Sequence, residues 1–340
     1  MILPTTPTIE ELKAHTPGIS EVGERVHRPF WSVIIPTYNC VQYLRRTLES
    51  VLYQDPGPDQ MQIEVVDGCS TKDDPKAITE ELGGGRVNFF RLTSNQGAAH
   101  TFNICIERAR GRWVHILHGD DMILPGFYDA YAAMIRAYPE ARMVMAQAVT
   151  VDDVDRWIGL YGITPPVGGG ILKDFIERQA TEQLILFPGV VVHREAYEAV
   201  GGFCTVFSFV IDWDMWFRLG QFAPVAWMPR PYALCRIHSG SVTSQLMISA
   251  LNIQERYFLT KINIARLNGV TPAAEPQVWR SQLAEEAERT AWELDKKNYV
   301  EGRYNQAKWA WMLEPTVRRT ILFLKSWLKL KLKDTPHDAS

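Results

Sequence analysis

Residues 31–39 read Trp31-Ser32-Val33-Ile34-Ile35-Pro36-Thr37-Tyr38-Asn39. Bulky and β-branched residues run to Pro36 and then give way to a hydroxyl, a phenol and an amide. That is the composition of a buried strand ending on a turn. Asn39 is placed to cap a helix whose Val41, Leu44, Leu48, Val51 and Leu52 share one face. The alternation continues outward. Residues 61–66 form a second strand ending at Asp67, and residues 73–82 a helix broken by Gly83-Gly84-Gly85. Residues 87–92 form a third strand and 97–109 a helix closed by Gly111. Residues 113–117 form a fourth strand, 126–138 a helix and 142–151 a fifth strand. Strands alternating with helices of about 10–15 residues define βαβ units on a mostly parallel, Rossmann-like α/β sheet.

Beyond residue 151 the rhythm changes. Pro165-Pro166 and Gly168-Gly169-Gly170 mark a loop, 184–192 and 232–237 read as strands, and 193–200 and 211–219 as helices. From about residue 246 the chain reads as helical. Residues 1–28 read as an N-terminal arm.

The 340 residues are 46% hydrophobic and 22% charged, enough to bury a large core. A net charge of −3 argues against a nucleic-acid partner, whose binding would need phosphates neutralised. Five cysteines at wide spacing, without a CxxC pair, suggest reduced thiols in a cytoplasmic setting. The first residues lack the basic and apolar segments of a signal peptide, and no apolar run is long enough to span a bilayer.

Open parallel sheets bind ligands beyond the carboxyl ends of their strands. Pro36-Thr37-Tyr38, Asp67 and His118-Gly119-Asp120-Asp121 all sit at such ends and should meet in one crevice. The adjacent aspartates have three readings: a turn or cap facing water, an acid/base pair in unequal environments, or a site for Mn2+ or Mg2+. A carboxylate at Asp67 able to accept from a base or ribose, with the Thr37 hydroxyl and Tyr38 ring, suits the crevice to a nucleoside diphosphate.

These segments carry a resemblance. Residues 31–39 resemble the "VSVIIPTYN" opening of the family 2 glycosyltransferases, which have the GT-A fold. Residues 64–71 resemble their "EIIVVDDGST", and Asn95-Gln96-Gly97 with Asn103 their "N.G….N". His118-Gly119-Asp120-Asp121 resembles "DADD", residues 211–219 resemble "EDYDLWLRL", and Arg236-Ile237-His238 resembles "YRxH". The order and spacing match over roughly 31–245. The resemblance implies a GT-A-like catalytic domain over 29–245 and a helical extension over 246–340. It implies an inverting transfer from a nucleotide-diphosphate sugar, with UDP favoured, to a glycan or lipid-linked glycan.

Its roles carry over as follows. Pro36, Thr37, Tyr38, Asp67, Asn95, Gly97, Asn103, Gly119 and Asp120 would bind the nucleotide. Asp120, Asp121 and His238 would hold the metal, and Arg236 and His238 would lie by the diphosphate. Asp212 would be the general base, with Asp214 the competing candidate. Gly189 and Trp213 would lie on the acceptor side, although Trp213 reads equally as core. The chain departs from the pattern at His118, Gly68 and Ile211, where the family carries acidic residues.

A sugar nucleotidyltransferase would use a similar sheet, but needs a basic Gly-rich loop after the first strand, where Thr37-Tyr38-Asn39 stands instead. A silent nucleotide-binding subunit is the non-enzyme alternative. Residues 317–333 carry a broad apolar face and six basic residues. They read either as a peripheral contact with the inner face of a membrane or as a helix packed on its own domain.

Overall fold

The computed structural model describes residues 3–162, 168–267 and 276–333. Its strands, in chain order, are β1 (Trp31–Thr37), β2 (Met61–Asp67), β3 (Asn88–Arg91), β4 (Trp113–Ile116), β5 (Met122–Ile123), β6 (Met143–Met145), β7 (Ala148–Val151), β8 (Trp157–Tyr161), β9 (Gly170–Ile171), β10 (Val190–His193), β11 (Val225–Trp227) and β12 (Ala233–Arg236). The helices are α1 (Ile9–Ala14), α2 (Val41–Leu52), α3 (Pro75–Gly83), α4 (Ala98–Arg108), α5 (Phe127–Ala137), α6 (Phe175–Gln179), α7 (Arg194–Val200), α8 (Ile211–Phe222), α9 (Val242–Ser249), α10 (Leu251–Arg266), α11 (Pro276–Lys296), α12 (Val300–Leu313) and α13 (Val317–Lys333).

Eight strands form the central sheet in the order β3-β2-β1-β4-β10-β6-β11-β9. The four from β3 to β4 are parallel, whereas β10 runs against both β4 and β6. Every residue of β1 and β2 is buried, as expected for central parallel strands covered on both faces. One core lies on each face: α2 and α5 close one side through Leu44, Leu48, Phe127 and Tyr131, and α4, α7 and α8 close the other through Phe102, Tyr197 and Trp216.

A second sheet, β5-β12-β7-β8, was not visible in the sequence. The apolar run at 142–151 is two strands, not one. Its β6 half belongs to the large sheet, and its β7 half crosses to the small one. Apolar content cannot show such a switch, because both halves are buried. Pro165 and Pro166, expected in a loop, lie outside the described residues.

The expected arm is anchored. Thr8 and Glu11 close a capping box on α1, and Leu12 is in the core. Gly202 N–H donates to Pro17 O at 2.7 Å, and the buried Arg194 guanidinium donates to Ser20 O at 2.9 Å. Helix α10 is likewise joined to the sheet domain: Leu259 and Ile262 enter its core. Glu255 accepts from the N–H groups of Ser208, Phe209 and Val210 at the start of α8.

Candidate active site

The register of β1 aligns Thr37 with Asp67 on β2. On its other side the β4 ladder continues past the strand: Leu117 N–H donates to Ile34 O at 3.0 Å, and Gly119 N–H to Pro36 O at 2.9 Å. Gly68 N–H donates to Thr37 O at 2.9 Å. Three strand ends are thus joined by main-chain bonds, which bring Tyr38, Asp67 and the loop of Asp120 together at one edge of the sheet. A Cβ at Gly119 would lie 3.0 Å from Thr37 Oγ1 and 3.2 Å from Cys40 Sγ, so this crossing leaves little room for a side chain. Thr47 Oγ1 bridges the carbonyls of Gly119 and Asp121 at 3.0 and 2.7 Å, holding the aspartate loop to α2.

Asn39 does not cap α2. It sits at φ 52°, and its side chain accepts from Thr71 and Lys72 N–H at 2.9 and 3.0 Å. Asp73 caps the helix from outside by accepting from Val41 N–H at 2.9 Å. The amide therefore fixes the loop behind Asp67. Asp67 is fully buried: one oxygen accepts from Ser70 N–H and Oγ at 2.9 and 2.7 Å, the other from Arg91 at 2.5 Å. It shapes the pocket through Ser70 and Arg91 instead of presenting a free edge. Tyr38 is exposed and free to stack.

Ligand atoms of His118, Asp120 and Asp121 lie within 4.8 Å of one another, a fit for a divalent cation. Burial and the neighbouring charge of Asp120 push the Asp121 carboxyl well above the ordinary range. Burial works the same way on Asp120, but the His238 hydrogen bond at 3.1 Å and the His118 charge outweigh it and hold Asp120 low. Two adjacent carboxylates, one buried and one partly exposed, are driven apart in this way, and a cation between them would relieve their repulsion. Burial pushes the His118 imidazole down, against the opposing pull of the Asp120 charge. His238 reaches this cluster through Asp120, outside the three-residue group.

Arg236 is expected beside the diphosphate, yet its guanidinium is committed within the protein. Its side chain is 1% exposed. It donates to Asp120 O at 3.0 Å and Asp152 O at 2.7 Å, pairs with Asp155, and lies 4.5 Å over the Tyr43 ring. Its main-chain N–H donates to the Asp121 carboxylate at 2.9 Å. Arg236 therefore positions both aspartates and has no free fork to offer a phosphate.

The α8 aspartates separate clearly. Asp214 is buried between Arg218 at 2.9 Å and Arg266 at 2.7 Å, and these pairs overcome its burial and hold it low. Asp212 has no cationic partner among the described residues. It accepts from its neighbour Trp213 N–H at 2.8 Å and from Gln183 Nε2 at 2.7 Å, and burial pushes it up to about 7. Tyr161 on β8 donates to Gln183 O at 3.2 Å. The Cys235 thiol is raised well above its usual value by burial and, more weakly, by the charges of Asp121, Asp120 and Asp212.

Other expected site residues are structural in their contacts. Trp213 is 1% exposed and its indole N–H donates to Gln179 O, so it is core and no sugar platform. Gly189 packs against Ala146 O, where a Cβ would approach to 2.6 Å, and accepts from Tyr131 OH. Asn103 exchanges two hydrogen bonds with the Phe203 main chain. Asn95 caps the turn at Gly97, with Gly97 at φ 92° starting α4. Gln183 and Thr47, which hold Asp212 and the aspartate loop, carry no motif in the sequence, whereas His118 stands in the aspartate motif but is given no ligand role there.

The central sheet, the aspartate loop at its carboxyl edge and the helical C-terminal region define a GT-A-like glycosyltransferase, an enzyme. The chain belongs to glycosyl transferase family 2, whose sequence model matches residues 32–199. It is 30% identical over 251 residues, 70% of its length and 76% of the relative's, to an uncharacterized protein of Mycobacterium tuberculosis. It is 24% identical over 219 residues, 61% and 68% of the two lengths, to an uncharacterized glycosyltransferase of Haemophilus influenzae. Its fold is similar to that of TarS 1–349 of S. aureus in complex with UDP-GlcNAc: TM-score 0.57, 15% identity, 89% and 90% of the two chains covered. Family membership sets aside the nucleotidyltransferase alternative.

Proposed function

We propose that this glycosyltransferase moves a sugar from a nucleotide-diphosphate donor, with UDP as the nucleotide, to a hydroxyl of a glycan or lipid-linked glycan, inverting the anomeric carbon. The observation that carries this reading is Asp212, a carboxylate with no counter-cation among the described residues, raised by burial to about 7. An alcohol nucleophile needs such a base within reach, and no covalent intermediate is then required. Gln183 and the Trp213 N–H orient it.

Asp120 and Asp121 would hold Mn2+ or Mg2+, with His118 and His238 alongside. When bound, the cation stabilises the charge developing on the diphosphate leaving group. Tyr38 stacks on the base, while Thr37, Gly119 and the Asp67–Ser70–Arg91 group define the pocket's floor and wall. The TarS complex with UDP-GlcNAc supports UDP as the nucleotide. Among the described residues no helix is long and apolar enough to cross a membrane, so a lipid-linked acceptor would be met at a surface.

The test is a thermal-shift titration with UDP, dTDP, GDP and CMP, each with and without Mn2+, on the parent and on Asp120→Ala. UDP with Mn2+ should raise the parent's Tm, by mass action worth roughly 2.7 kcal/mol at a hundredfold excess over Kd. Asp120→Ala should abolish the metal-dependent part. If no nucleotide shifts the parent at any metal level, the reading fails.

The pH profile follows from the sign of the Asp212 shift. The base works ionised, so kcat/KM should climb through about pH 7, and fall about tenfold per unit below it. An acidic limb near pH 4 would show that Asp212 is not the group titrating.

A further inference from the structure

The terminal helix α13 buries only part of its apolar surface: Leu322 packs with Ala291 and Ala307, and Phe323 stacks on Trp311. The side chains it buries are Arg319, Leu322 and Ser326. Arg319 pairs with Glu288 and Glu314, and Ser326 Oγ accepts from Arg303 Nε at 3.0 Å, so much of the inner face is polar and already satisfied. The outer face carries Val317, Ile321, Leu324, Leu328 and Leu332, spaced by four, three, four and four residues, with Trp327 beside them; all six are exposed. At 3.6 residues per turn these positions form one continuous stripe along the helix.

The charges on α13 are of one sign. The segment 317–333 contains no acidic residue. Lys325 borders the stripe, with Lys333 at the end of the helix; Arg318 and Lys329 also lie near it, paired with Glu288 and Asp295. A chain of net charge −3 thus gathers cations around this exposed apolar stripe.

We infer that the outer face of α13 is a docking surface for an anionic lipid bilayer, into whose interface the stripe inserts while the lysines remain among the headgroups. Lysines beside an apolar face reach outward to phosphates by their long stems. The charge decides between occupants: a second copy docked stripe to stripe would face cations with cations, whereas an anionic surface attracts them. The inference goes beyond the proposed transfer and does not depend on the donor or the metal.

The test is co-sedimentation of the full chain, without nucleotide or metal, with phosphatidylcholine vesicles containing 0 or about 30% phosphatidylglycerol, at low and high salt. The parent should bind the anionic vesicles, and binding should weaken as salt screens the lysines. Leu324→Asp/Leu328→Asp alters only exposed positions. It should melt with the parent and lose at least about tenfold in vesicle partitioning, since two apolar anchors are removed and two like charges added. Failure of the parent to bind anionic vesicles, or equal binding by the double variant, overturns the inference. So does a parent dimer in sizing runs that the double variant dissolves, which would assign the stripe to a second copy. Because no donor is present, failure here leaves the nucleotide titration untouched, and the reverse.

Discussion

Asp212→Asn should reduce sugar transfer by about a thousandfold while leaving the metal-dependent UDP shift intact. The substitution keeps the shape of the side chain and removes only the charge. Its hydrogen-bond partners among the described residues are Gln183 and the Trp213 N–H, neither of which is assigned to the proposed nucleotide pocket. A second readout separates this role from a structural one. The folded-state pKa of Asp212 is raised, so its contribution to stability is present below the ordinary carboxylate range and is lost as pH rises through about 7. The parent therefore carries an unfavourable buried charge at pH 8 that the asparagine lacks. The variant's Tm relative to the parent should be highest at pH 8 and fall back toward pH 5. A catalytically silent subunit would show UDP binding without turnover in the parent and no effect of Asp212→Asn on any rate.

Arg236→Met should cost about 1–3 kcal/mol of stability, because it leaves the Asp120 and Asp152 carbonyls without their buried donor, while the part-exposed Asp155 keeps Arg46. The aspartate loop should loosen with it, weakening the response to Mn2+ even in the fraction that folds. Arg236→Lys should rescue little, since one ammonium cannot fill a planar fork spread over three acceptors. Urea melts of the three proteins decide the point. A methionine variant within about 0.5 kcal/mol of the parent would mean that solvent or a neighbour replaces the guanidinium at no cost.

These two residues mark where the sequence is legible and where it is not. The central strands, their parallel order and the meeting of Thr37, Asp67 and Asp120 follow from hydrophobic period and the strand-end rule, because each depends on local pattern. Whether a polar group is available does not. Arg236 and Asp67 stand in the expected motifs, but partners far along the chain already satisfy them: Asp155 lies 81 positions from Arg236, and Arg91 lies 24 from Asp67. The choice between Asp212 and Asp214 has the same origin. Arg266, which neutralises Asp214, comes from the helical extension, 52 positions away. Trp213 reads as platform or core from its type alone, and only the packed helix decides. Gln183 carries no motif, and Glu255 lies in a helix that looks merely amphipathic.

The bonds Gly68 N–H to Thr37 O and Gly119 N–H to Pro36 O have an evolutionary consequence. They are main-chain bonds, so most side-chain changes around the crevice leave them standing. The backbone frame that would present the nucleotide is therefore insulated from drift in the residues that contact the sugar and the acceptor. A lineage can exchange substrates by altering loop side chains without rebuilding the frame, and one such chassis can diversify into many specificities.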